Sequence, residues 1–219
     1  MIREQVIASM RTHAKRFDLI IIGGGATGIG AALEASARGY SVALLEQADF
    51  ANGTSSRSTK LVHGGLRYLK QGNVRLVKEA MREREILAQN APHLFKEQPF
   101  LIPNRSYWQQ LFYGIGLKLY DFLAKGSSLS ASFFLNRKKT IQLMPKLNAM
   151  GLCGANYYTD GQFDDARLAL NLVQTAAQLG ACIVNYCACT GFIQEQGRIV
   201  GVQVCDRENL CEFELRGRS

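Results

Sequence analysis

Hydrophobic and polar positions divide the chain into stretches of different period. Phe17-Asp18-Leu19-Ile20-Ile21-Ile22 is a nearly unbroken apolar run, the pattern of a strand buried on both faces of a parallel sheet. Gly23 to Gly25 interrupt it. The Ala- and Leu-rich segment from Ala26 to Arg38 then reads as a helix stopped by Gly39, and Ser41 to Leu45 as a second apolar strand. Gln47 to Gly72 is polar and dotted with glycine, a loop pattern. Val74, Val77, Met81 and Leu87 recur at helical spacing ahead of Pro92. A second amphipathic helix is predicted from Asp164 to Leu179, with Asp164 and Asp165 at the positive end of its dipole and Gly180 as its stop. Cys182 to Cys187 returns as an apolar strand. The stretches 191–194, 198–205 and 210–215 alternate and are separated by turn residues, which predicts a β-meander. Residues 100–150 show no clear period, and their aromatics (Tyr107, Trp108, Phe112, Tyr113, Tyr120, Phe122) predict packed helix and loop. Residues 1–16 fit a short basic amphipathic helix or a frayed end.

With 219 residues, 47% of them hydrophobic, the chain is globular rather than disordered. The apolar stretch from Leu111 to Leu123 is broken by Lys118 and Asp121, so no membrane-spanning helix is expected. The first sixteen residues lack the apolar core of a secretory signal. The net charge of +8 is uneven: residues 57–105 hold ten bases against four acids and residues 106–146 six against one, while 17–56 and 147–219 are each net acidic. Such a middle block suits a nucleic acid, an anionic membrane surface, an anionic substrate, or simply a solvated face. All six cysteines lie between positions 153 and 211 without a C-x-x-C pair, and none of the three histidines is near them in sequence. Reduced, partly buried thiols are expected, and no metal site.

The chemistry-bearing motif is Gly23-x-Gly25-x-x-Gly28, which follows a strand and opens a helix. Glu46 ends the next strand, twenty-three residues past Gly23. Gly23 permits the tight turn, Gly25 lets backbone approach a pyrophosphate, and Gly28 lets the helix sit close on the strand. The helix N-terminus, at Ala26 and Thr27, meets the phosphates, while Glu46 accepts from a ribose hydroxyl. An adenine dinucleotide is therefore expected, and the fingerprint alone does not distinguish NAD from FAD.

The loop beyond it is denser in information. The fingerprint, Gly53-Thr54-Ser55-Ser56-Arg57-Ser58-Thr59-Lys60-Leu61, His63-Gly64-Gly65-Leu66-Arg67-Tyr68-Leu69, Ala91-Pro92-His93-Leu94 and Asp160-Gly161-Gln162-Phe163-Asp164-Asp165-Ala166-Arg167-Leu168 together resemble the respiratory, quinone-linked, FAD-dependent glycerol-3-phosphate dehydrogenases. Those enzymes share the fold of D-amino-acid oxidase. The resemblance runs in order from about residue 17 to the last predicted strand. It implies oxidation of sn-glycerol 3-phosphate to dihydroxyacetone phosphate, with hydride passing from C2 to flavin N5, a base taking the hydroxyl proton, and electrons going on to ubiquinone or menaquinone.

By the same resemblance the cofactor-binding set is Gly23, Gly25, Ala26, Thr27, Gly28, Glu46, Gln47, Thr54, Ser55, Ser56, Lys60, Leu61, His63 and the strand residue Cys189. The catalytic candidates are His63, whose imidazole exchanges protons near neutral pH, Arg67, whose forked donors suit a phosphate, and Tyr68 beside it. Asp164, Asp165 and Arg167 are read as helix capping and a structural ion pair, and His93 as structural.

The implied architecture is α/β: a Rossmann-like FAD-binding domain with a parallel sheet and a β-meander, and a substrate domain only partly present. Its segments are a basic extension (1–16), the βαβ unit and flavin loop (17–72), a helical, aromatic-rich insertion (73–150), and a return to the FAD-binding domain (151–219). The resemblance implies an N-terminal portion of a longer protein, peripheral on the inner face of the cytoplasmic membrane or on the mitochondrial inner membrane. A homodimer is compatible with it and no nucleic-acid partner is expected. The basic block and the aromatics at Tyr107, Trp108, Phe112 and Tyr113 suit contact with anionic lipid. Two other readings remain open on sequence: a glycerol-3-phosphate oxidase using oxygen, and a non-catalytic basic module binding a dinucleotide or nucleic acid.

Overall fold

The computed structural model describes residues 2–12, 16–63, 72–124 and 130–218. The chain forms two compact units, one from residues 1–58 and 165–219 and the other from 59–164.

The first unit is built on a parallel three-stranded sheet in the order β1-β2-β7, where β1 is Leu19–Ile22, β2 is Val42–Leu45 and β7 is Cys182–Val184. All four residues of β2 are buried, because each face of the sheet is covered by a different layer. Val42 and Leu44 pack with Ile183 against helices α2 (Ala26–Ala37) and α6 (Asp165–Gln178). Ala43, Leu45 and Val184 pack instead against α1 (Arg3–Thr12) and the antiparallel meander of β8 (Cys187–Glu195), β9 (Arg198–Asp206) and β10 (Cys211–Arg216). The period-2 alternation of a strand thus feeds two cores. β1 departs from the expectation of burial on both faces: it lies at the sheet edge among the described strands, and Ile22 is 51% exposed.

Within the expected basic extension, helix α1 packs into the first unit. Ile7 and Met10 are buried in the core shared with the meander. Arg3 donates to both carboxylate oxygens of Asp206, at 2.5 and 3.2 Å, and the Asp206 side chain is 1% exposed. The Glu208 backbone N–H and the Asn209 amide complete its shell. Burial and the carboxylate push the Cys187 thiol up to about 11. All six cysteines are free.

The second unit is an antiparallel sheet around β6 (Gly154–Phe163). β4 (Phe95–Asn104) pairs along its full length, while β3 (Leu61–Val62) and β5 (Phe133–Asn136) share its other edge. Cross-strand partners stack: Phe100 on Tyr158 at 5.3 Å and Phe133 on Tyr157 at 4.4 Å. Helices α3 (Val74–Asn90) and α4 (Tyr107–Leu123) meet through Val77, Met81 and Tyr120. Beneath them Arg84 donates to Asp160 at 2.7 Å and to the Tyr120 hydroxyl at 3.2 Å, and that hydroxyl donates to Asp160 at 3.1 Å. Desolvation beside the Asp160 carboxylate pushes the Tyr120 phenol far above its ordinary value, so it stays a neutral donor. The short helix α5 (Arg137–Leu143) is capped by the Asn136 side chain.

The Arg3–Asp206 pair makes the docking of α1 sensitive to pH. Hydrogen bonds from Arg3 hold the Asp206 carboxyl down at about 2, against its ordinary 3.8. A carboxylate depressed by folding stabilises fully above its unfolded value and loses that contribution as pH falls through the folded one. Asp206→Asn should therefore cost about 2–3 kcal/mol at pH 7. The difference from the parent chain should shrink as pH falls from 4 to 2, as read by urea unfolding across that window; a difference independent of pH would contradict the assignment.

Candidate functional site: the glycine turn of the first unit

The turn between β1 and α2 is shaped by three glycines with different demands. Gly23 has φ +112°, which L side chains rarely adopt. A Cβ on Gly28 would lie 2.0 Å from the Gly23 carbonyl oxygen, so only glycine lets the first turn of α2 rest on the strand end. Gly25 is the N-cap of α2, with ordinary φ of −86° and no side-chain cap, and a Cβ there would meet nothing within 4 Å. Gly25, Ala26 and Thr27 are exposed. The first turn of a helix presents unsatisfied N–H groups and a partial positive charge. Here both open onto clear space at a residue without a side chain, the arrangement that accepts a phosphate.

Glu46 stands beside this turn. Its carboxylate accepts from the backbone N–H of Gly24 at 2.6 Å and of Ala48 at 2.7 Å, which fixes it at the carboxyl end of β2 with lone pairs to spare for a ribose hydroxyl. The loop that follows folds back on the turn: Ala51 N–H donates to the Gly24 carbonyl at 2.9 Å, and the Ser56 hydroxyl donates to the Ala51 carbonyl at 2.6 Å. Thr54–Ser56 form a short 3-10 turn with Thr54 and Ser56 exposed and Ser55 half-buried. The Ser58 hydroxyl donates to Asp165 at the start of α6, whose carboxylate also accepts from the Ala166 N–H at 3.0 Å.

Gln47 is exposed and held by Arg207, which donates to its carbonyl at 3.1 Å and its side-chain oxygen at 3.4 Å. Cys189 is half-buried on β8, an edge strand of the meander, and its side chain packs on the core. Lys60, Leu61 and His63 belong to the second unit. Lys60 has φ +60° and pairs with Asp164 at 3.9 Å, Leu61 is half-buried opposite Gln162, and His63 is exposed just past the end of β3. Arg67 and Tyr68 lie outside the described residues.

Three contributors to the turn carry no motif signal. Gly24, a free position in the fingerprint, would place a Cβ 2.8 Å from Glu46 Cβ and 2.9 Å from Phe50. Ala51 adopts φ +58° so that its N–H reaches Gly24. Asn185 ties the loop down by donating to Asp49 at 3.0 Å.

The matches to known proteins follow this geometry. Residues 18–212 match the model of the family described as FAD dependent oxidoreductase. The chain belongs to that family. It is 40% identical over 222 residues to a probable glycerol-3-phosphate dehydrogenase of Encephalitozoon cuniculi, an alignment covering 98% of this chain and 36% of the relative. It is also 40% identical over 219 residues to the human mitochondrial glycerol-3-phosphate dehydrogenase, covering 94% of this chain and 30% of the relative. Among solved structures, the Bacillus halodurans glycerol-3-phosphate dehydrogenase complexed with FAD superposes with a TM-score of 0.74 at 34% identity, covering 98% of this chain and 35% of that one. The chain thus spans about a third of the length of these relatives. The family's cofactor suits the turn: open space over Gly25, uncapped N–H groups on α2 and the fixed Glu46 carboxylate are what an adenosine diphosphate half requires.

Two glycine substitutions should separate ligand room from packing. Gly25→Ala should cost about 1 kcal/mol or less in unfolding yet weaken FAD binding at least about tenfold. Gly28→Ala should lower stability itself by about 1–3 kcal/mol through overpacking against the Gly23 carbonyl. Urea unfolding without cofactor, paired with FAD titration, reads both; equal effects of the two on stability would contradict the distinct roles.

Proposed function

We propose that this chain is the FAD-binding part of a glycerol-3-phosphate dehydrogenase that oxidises sn-glycerol 3-phosphate to dihydroxyacetone phosphate and passes electrons to a membrane quinone. The observation that carries the reading is the uncapped, unobstructed start of α2 at Gly25 beside Glu46, in a chain whose family match runs over residues 18–212. The named activity of the relatives supports the substrate; the mitochondrial location of the human relative fits a respiratory acceptor, and the quinone itself rests on the resemblance carried by the sequence motifs.

The residues divide the work by chemical type. Ala26 and Thr27 hold the pyrophosphate through the first-turn N–H groups of α2, and Glu46 holds the adenosine ribose. Thr54, Ser55 and Ser56 contribute hydroxyls along the phosphates and ribityl chain. FAD, when bound, supplies the two-electron acceptor for the alcohol. His63 takes the proton of the C2 hydroxyl as the general base of the segment, a role for which imidazole is the most common side chain. Arg67 grips the substrate phosphate with its fork of donors, and Tyr68 adds a hydroxyl donor to the same phosphate. The charge excess of residues 57–105, which contain this segment, favours a dianionic substrate.

The experiment is spectral and uses the full-length protein that contains this chain. Anaerobic glycerol 3-phosphate should bleach the visible flavin band, and added quinone should restore it faster than oxygen does. A bound flavin that the substrate leaves oxidised would overturn the substrate, and faster recovery with oxygen would overturn the acceptor. Arg67→Met should raise KM for glycerol 3-phosphate about 10–100-fold, as expected when a charged hydrogen bond to phosphate is lost; an unchanged KM would remove Arg67 from the phosphate site.

A further inference from the structure

The buried charge of the second unit has no part in the chemistry assigned so far. Arg84, Tyr120 and Asp160 are 1%, 3% and 3% exposed. Asp160 accepts from Arg84 at 2.7 Å and from the Tyr120 hydroxyl at 3.1 Å, and Arg84 also reaches that hydroxyl at 3.2 Å. Joining the two helices does not need a charge. Val77 and Met81 already pack there with Tyr120, Leu123 and Ala124, and apolar residues in place of a buried ion pair are commonly as stable or more so. What a carboxylate adds is direction. Its Oδ1 also accepts from the backbone N–H of Gly161 at 3.0 Å, so donors from α3, α4 and β6 converge on one side chain.

Gly161 is where β6 meets β3. Leu61 pairs with Gln162 and Val62 with Gly161, and the Phe163 N–H donates to the Lys60 carbonyl at 3.0 Å. β3 is two residues long and pairs with β6 alone among the described strands, so β6 sets its place. The fit at Gly161 leaves no slack: a Cβ there would lie 2.8 Å from the Val62 carbonyl oxygen, 2.7 Å from Val62 Cγ1 and 2.4 Å from Phe95 Cε2. The next residues along the two strands are Asp160 and His63. A shift of the carboxylate that tilts the Gly161 peptide is therefore passed to Val62 and, one peptide on, to His63.

We propose that Asp160, braced by Arg84 and Tyr120, is a positioning residue for the alcohol oxidation: it fixes the β6 backbone at Gly161 and thereby the end of β3 that carries His63. This rests on the reading of His63 as the base. A reacting group displaced by about 1 Å can lose about a hundredfold in rate, which gives the buried triad a task that apolar packing does not perform.

The test uses the full-length, FAD-loaded protein and the rate at which anaerobic glycerol 3-phosphate bleaches the flavin. Tyr120→Phe removes one donor to Asp160 and keeps the ion pair. It should slow bleaching about 3–10-fold per bound flavin, and Asp160→Asn about 10–100-fold. The half-saturating substrate concentration should stay within about threefold of the parent's in both. His63→Asn should slow bleaching as well, and adding Tyr120→Phe to it should cost nothing further, because the hydroxyl acts through the imidazole. An unchanged rate per flavin in Tyr120→Phe, with only the urea midpoint lowered, would make the triad purely structural. A loss confined to the half-saturating concentration, or an undiminished effect of Tyr120→Phe in the His63→Asn background, would equally overturn the positioning while leaving the base in place. Bleaching of His63→Asn at the parent's rate would instead remove the base itself, and the positioning with it.

Discussion

The packing of Gly28 against the Gly23 carbonyl, with no room for a Cβ between them, sets the position of α2 on the sheet. A single methyl group at Gly28 would sit 2.0 Å from that oxygen. Because the helix can lie this close, its first N–H groups emerge directly over the end of β1, and Gly25 leaves the space in front of them empty. The adjoining parts are arranged around the same turn. Gly24 N–H fixes Glu46, the Gly24 carbonyl receives the Ala51 N–H, and the 48–58 loop is laid down from there. The proposed ligand, with two phosphates and a ribose, would meet donors and an acceptor that are already oriented, so little ordering would be required on binding.

Elsewhere the chain uses buried charge to specify which pieces meet. Arg3 and Asp206 are 203 residues apart, and their pair seats α1 against the meander. Arg84, Asp160 and Tyr120 join α3 and α4 to β6. Pairs of this kind gain little over apolar packing in net stability, and removal of one partner is costly because the other is left charged and dry. Asp160 also precedes Gly161, which pairs with Val62, the residue before His63. The ion pair and the strand carrying the candidate base thus share one segment of backbone within the second unit.

How far the sequence discloses this depends on whether the signal is local. The Gly23–Gly28 turn, Glu46 and the three strands of the meander are legible because glycine spacing and period-2 alternation act within a few residues. The edge position of β1 is not, since an apolar run reports burial tendency without naming its neighbours. β4 escapes notice because Pro99 and Pro103 argue against a strand; it tolerates them at the edge of the sheet, and its partner β6 lies fifty residues on. Residues 1–16 read as a loose basic end because nothing near Arg3 announces Asp206. At the site, Gly24 and Ala51 are invisible for a related reason: their demands come from Phe50 and from a carbonyl across the turn, and alanine carries no preference for positive φ. The role of Gln47 as a partner of Arg207 likewise depends on a contact 160 residues away.

The central claim is that the first unit recognises the adenosine diphosphate half of a flavin dinucleotide at the start of α2. The direct measurement is competitive binding of FAD, ADP and FMN to the chain, followed by the fluorescence of the released flavin. The account predicts that ADP displaces FAD and that FMN, which lacks the adenosine half, neither binds comparably nor competes. FMN binding as tightly as FAD, with ADP without effect, would contradict it.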